Sequence, residues 1–158
     1  MENIKSKNLA ITAIIATLYS VLVYVFSPIS FQMVQIRVAN ALMGLIPILG
    51  VPAIIGVVLG VFIANLVSPL GFIDLLSVAP TFIGLTIIYK LRNYSVLLGL
   101  AIYSIILGAW VSFMLWYVFK IPYVECFIYV TVGIAMATVG LGYPVYKTFK
   151  RILGGCKL

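Results

Sequence analysis

The side chains best equipped for chemistry are few. Gln35, Arg37 and Asn40 fall close together, Asn65 and Asp74 follow, and Glu125 stands far downstream. The only other carboxylate is Glu2, and there is no histidine. Histidine is the commonest general base and metal ligand, so its absence and the scarcity of carboxylates argue against an enzyme. No metal site and no cofactor is expected. No GxxxxGK[ST] loop occurs, which excludes that mode of ATP binding. What remains suits recognition. Carboxylates accept hydrogen bonds, carboxamides both donate and accept, and a guanidinium offers a fork of donors. Gln35, Arg37, Asn40, Asn65, Asp74 and Glu125 are therefore the candidate binding set for a small polar solute. Trp110, Trp116, Tyr117, Tyr123 and Tyr129 supply rings for interfacial belts, one or two of which could stack on a planar ligand. Each polar residue also has a plain role. Arg37 can reach lipid headgroups, Asp74 can cap a helix, Glu125 can complement a helix dipole, and Asn65 can satisfy nearby backbone. Lys120 reads as an interfacial anchor.

The elements that must position these residues follow from composition. The chain has 158 residues, 65% hydrophobic and 8% charged. A soluble domain carries roughly 25% charged residues, so the chain cannot coat a water-soluble globule. It reads as an all-α polytopic membrane protein, one transmembrane domain over 1–158. A span needs about 20 apolar residues. Charges and breakers divide the chain into six transmembrane helices at approximately 9–27, 34–49, 52–67, 72–90, 94–119 and 122–148. Pro47, Gly50 and Pro52 separate two short helices, which a re-entrant hairpin over 38–67 would also explain. A kink is expected near Pro80. The first apolar run is longer than a signal-peptide core and lacks a convincing cleavage site, so it reads as a span.

Six spans put both termini on one side. With the termini cytoplasmic, Lys5, Lys7, Lys90, Arg92, Lys147, Lys150, Arg151 and Lys157 lie inside, and Arg37 and Lys120 outside. That is the positive-inside bias of a multi-pass cell-membrane protein. The basic tail needs no partner beyond anionic lipid, and nothing points to nucleic acid. Cys126 and Cys156 are too far apart along a helix for a disulfide. The candidate binding residues gather in the outer layer, with the segment 27–36 placed to cover them.

Thr12, Ala13, Ala16, Thr17 and Ser20 give the first helix a thin face that admits a close neighbour. Similar faces occur at Gly56, Gly60 and Ala64, and at Ser104, Gly108 and Ser112. Each serves either internal packing or, for the first helix, docking on another membrane subunit. The docking reading expects Ala16→Leu to abolish uptake and spare solute binding.

Pro28-Ile29-Ser30-Phe31, followed by Gln35-x-Arg37-Val38-x-x-Ala41-Leu42, resembles the signature of the QueT family. Gly60-x-x-Ile63-Ala64-Asn65 and Asp74 are similar to that family's pattern as well. The resemblance implies an S component, the substrate-binding subunit of an energy-coupling-factor (ECF) transporter, linked to queuosine precursors. It also implies a transmembrane coupling subunit, met by the first helix, and two cytoplasmic ATPase subunits. Two positions depart from the family pattern. Gln32 stands where Gly is usual, and Asn40 where Glu is usual. Asn40 removes a charge and reverses part of the donor and acceptor pattern. Two other readings stay open, a stand-alone secondary transporter and a non-transporting scaffold.

Overall fold

The computed structural model describes residues 2–30, 37–68 and 71–155. They are all helical apart from short connections. Helix α1 is Glu2–Val25, followed by one turn at Ser27–Ser30. Helix α2 is Val38–Leu49, α3 Val51–Asn65, α4 Gly71–Asn93 and α5 Val96–Phe119. Helix α6 covers 123–155. The six elements match the expected order. Helix α1 starts two turns before the apolar run, because the polar residues there also favour helix. Helix α6 runs two turns past its expected end. Four helices are long and apolar enough to cross a membrane: α1, α4, α5 and α6. Multi-pass membrane insertion follows from them.

Helices α2 and α3 are shorter, yet they cover most of the depth of α4, from Asp74 to Tyr89. The α2–α3 turn falls at Gly50, where φ is +70°. A Cβ there would sit 3.4 Å from the ring of Tyr89, near the far end of α4. The other ends of both arms, Arg37 and Asn65, reach Asp74 at the near end of α4. Eight residues of α2, Val38–Leu45, are 3₁₀ helix. That geometry rises about 2.0 Å per residue against 1.5 Å, so it stretches a short segment over the depth.

Prolines decide where the helices change winding. Ser77 ends a 3₁₀ stretch, Gly71–Ser77, and the α-helical part begins at Val78. Pro80 thus falls in the first α turn, where its missing N–H costs little. A change of winding takes the place of the expected kink. In α6 a π-helical segment, Met136–Leu141, precedes Pro144. An interior proline clashes with the carbonyl four residues back, and the wider turn relieves it.

The small faces of α1 and α3 meet each other. A Cβ on Gly60 would lie 2.7 Å from Tyr19 Cβ and 3.0 Å from the Ala16 carbonyl oxygen. One on Gly56 would lie 2.8 Å from the Thr12 carbonyl oxygen. Hydroxyls seam the contact. Thr12 Oγ1 donates to the Pro52 carbonyl at 3.0 Å, and Ser20 Oγ to those of Ala16 and Gly60 at 2.9 and 3.3 Å. Ala16 and Ser20 are therefore buried within the chain, and Thr12 is half-buried. Of the five residues expected to meet a partner subunit, only Ala13 and Thr17 are exposed. Ala16→Leu would disrupt this bundle before it touched any partner. Elsewhere Gly108 gives α5 close passage beside Thr131 of α6, and Gly84 brings α4 against the Tyr103 ring.

Candidate functional site

An ion pair lies buried where α2, α3 and α4 converge. Arg37 ends the connection into α2 and adopts an extended backbone, φ −79° and ψ 94°, which turns its side chain in from the helix start. Its Nη2 lies 3.5 Å from Asp74 Oδ2. The two side chains are 8% and 0% exposed. The separation exceeds the about 2.7–2.9 Å of a charge-assisted hydrogen bond, so the pair is not a bidentate clamp. It is also not headgroup contact.

Asp74 is the hub. Its Oδ1 accepts from Ser77 Oγ at 2.8 Å. Ser77 Oγ in turn accepts from Trp110 Nε1 at 3.2 Å. Asn65 Nδ2 donates to the Asp74 backbone carbonyl at 2.8 Å, tying the end of α3 to the start of α4. Asn40, one turn into α2, accepts from the Tyr19 hydroxyl of α1 at 3.1 Å. Five helices thus contribute to one polar column along the bundle interior, from Asn65 and Asp74 down past Thr81 to Tyr103.

Two acceptors in this column accept no hydrogen bond, although one of them, Asp74 Oδ2, faces the Arg37 guanidinium at 3.5 Å. Asn65 Oδ1 and Asp74 Oδ2 are buried without a hydrogen-bond partner among the described residues. An unsatisfied buried polar atom costs about 1–3 kcal/mol, so both are poised to receive N–H or O–H groups. The spaces along the column are small. Tyr19, Arg37, Asn40, Thr81 and Tyr103 surround a void of about 10 Å³, room for roughly one water. A recess of about 60 Å³ adjoins Asn65, bordered by Leu66, Phe72 and Leu75. A ring-sized solute must part these walls.

The structure therefore brings together Arg37, Asn40, Asn65 and Asp74. It does not bring Glu125 to them. That side chain is exposed in the first turn of α6, where a carboxylate complements the helix dipole. Gln35 and Gln32 lie outside the described residues. Lys120 is exposed at the left-handed end of α5, with its ammonium 5.4 Å from the Tyr117 ring centre. Trp110, counted among the aromatics, is the one that reaches the site, by its indole N–H.

Tyr19, Ser77, Thr81 and Tyr103 escaped the sequence reading. A signal existed for two of them. Ser77 and Thr81 follow Asp74 at i+3 and i+7, the spacing of one helical face. Nothing in the sequence marked Tyr19 or Tyr103 out from the other tyrosines.

The chain was compared with known families and proteins. The model of a family described as QueT transporter matches residues 9–151. No curated protein and no solved structure matches.

Proposed function

The chain belongs to the QueT transporter family, and from that premise we propose that it is the solute-capturing subunit of an ECF-type importer. It is a multi-pass membrane transporter and not an enzyme. The solute we propose is small, flat and rich in N–H donors, a deazaguanine queuosine precursor. It enters from the outer side. Asp74 Oδ2 and Asn65 Oδ1 accept its ring N–H and amino groups, while Arg37 donates to a ring carbonyl. Asn40 offers an amide edge, Gln35 is proposed to offer a second, and an aromatic ring of α5 or α6 is proposed to stack on the solute. One observation carries this reading: two buried acceptors that accept no hydrogen bond among the described residues, one of them facing a buried guanidinium, in a chain with very few charges.

The chain has no nucleotide-binding loop, so ATP-driven uptake needs subunits that supply one. The proposed partners are a transmembrane coupling subunit and two cytoplasmic ATPases. The exposed strip of α1, at Ala13 and Thr17, is the proposed contact.

A thermal-shift screen of purified protein against deazaguanines, purines and vitamins tests the reading. A deazaguanine is expected to raise the melting temperature. Asp74→Ala and Arg37→Ala should lose that shift, and Lys120→Ala should keep it. If no compound stabilises the protein, solute capture is wrong.

A further inference from the structure

The basic residues at the opposite end of the bundle form a built groove. It lies between the α4–α5 connection and the last turns of α6, and its volume is about 420 Å³. Arg92 reaches it from the connection, and Lys147 and Lys150 from α6. Each cation is held over a tyrosine ring. Arg92 Cζ is 4.2 Å from the centre of Tyr89, Lys147 Nζ 4.8 Å from Tyr143, and Lys150 Nζ 5.6 Å from Tyr146. Among the described residues no carboxylate pairs with any of them: the ion pair there is Arg37–Asp74, far up the bundle. Ser95 adds a hydroxyl at the start of α5.

We propose that this groove binds the phosphodiester headgroup of an anionic phospholipid. Three cations around one concavity repel each other unless an anion lies between them. Cation–π contacts fix two of their three positions on one helix, so the side chains are partly ordered before the anion arrives. The groove also has the surroundings that a lipid needs. Tyrosines with exposed apolar neighbours mark a membrane interface, and Tyr94 and Leu97 on the groove's wall are exposed. A free anion would need none of that apolar rim. Arg151, by contrast, faces a neighbouring recess with Thr148 and Ile152, which shares Lys147 with the groove but neither Arg92 nor Lys150, so it serves as an internal control. The inference rests on the preceding reading only for which leaflet supplies the lipid. Its test measures lipid and not solute, so the two can fail separately.

The experiment uses the full chain in mixed micelles, titrated with phosphatidylglycerol or phosphatidylcholine and read by native mass spectrometry. Wild-type protein is expected to retain phosphatidylglycerol preferentially. Each basic residue near a membrane surface contributes a factor of about five to anionic-lipid binding, so Arg92→Gln/Lys147→Gln/Lys150→Gln should lose at least about tenfold. Lys5→Gln/Lys7→Gln and Arg151→Gln should keep the preference. Lys147→Arg/Lys150→Arg should also keep it, and single Arg92→Gln gives a partial loss if the triple variant does not fold. Equal loss in the Lys5/Lys7 variant, or no loss in the triple, overturns the groove. Displacement of the lipid by equimolar inorganic phosphate overturns the lipid as its occupant.

Discussion

At the scale of single residues, the molecule turns on one buried pair. Breaking such a pair on one side costs about 3–5 kcal/mol, whereas replacing both partners with apolar residues is often neutral. Asp74→Asn is therefore expected to lower stability by about 3 kcal/mol and to abolish the solute-induced thermal shift. Arg37→Met/Asp74→Leu should restore stability to near wild type and remain silent to solute. Reversible unfolding in mixed micelles checks both. If the double variant falls as far as the single one, the ion pair is not what the bundle is built around. Tyr19→Phe is a milder change. It leaves Asn40 Oδ1 buried without its donor, at a cost of about 1–3 kcal/mol, and the same unfolding curves measure it. These residues were unequally legible. Arg37 and Asp74 stood out because a charge in a membrane helix needs a reason. Ser77, Thr81 and Tyr19 did not, since hydroxyls in a span commonly bond their own helix, as Ser104 does to the Leu100 carbonyl at 2.9 Å.

At the scale of elements, the close pairing of α1 with α3 separates two roles that the sequence left merged. Thr12, Ala16 and Ser20 lie one helical repeat apart and were read together with Ala13 and Thr17 as one thin face. The face is in fact split. One strip receives Gly56 and Gly60, and the other stays outside. Spacing alone could not show this, because a small residue looks the same whether it admits a neighbour from its own chain or from another. Gly60→Ala should cost about 1–3 kcal/mol, since its Cβ would meet the Tyr19 Cβ and the Ala16 backbone rather than a movable side-chain tip. Thermal unfolding measures that loss. Ala13→Leu/Thr17→Leu should leave stability and solute binding intact and abolish ATP-dependent uptake in cells that carry the partner subunits. Unchanged uptake would remove the docking role from α1. Helix order and most boundaries were legible from charges and breakers. The 3₁₀ and π segments were not, because they answer to Pro80, Pro144 and the depth that α2 must cover, and none of these is a local propensity.

For the whole molecule, two polar poles are separated by an apolar bundle. One is the Arg37–Asp74 column, and the other is the groove of Arg92, Lys147 and Lys150. The orientation proposed from the charge bias puts the groove on the cytoplasmic side, and the proposed capture of an external solute requires the column to face the other way. Function therefore depends on an orientation that can be measured directly. In a Cys156→Ser background the remaining native thiol, Cys126, is 1% exposed and should stay unlabelled. Tyr94 is 84% exposed in the connection beside the groove, and Glu125 is exposed at the opposite end. A membrane-impermeant maleimide added to intact cells should label Glu125→Cys and spare Tyr94→Cys until the membrane is opened. Glu125→Cys should also keep the solute-induced thermal shift, because its side chain takes no part in the buried column. The reverse labelling pattern would turn the bundle over, place Asn65 and Asp74 on the cytoplasmic side, and leave the proposed importer with no recognition site on the face from which its solute comes.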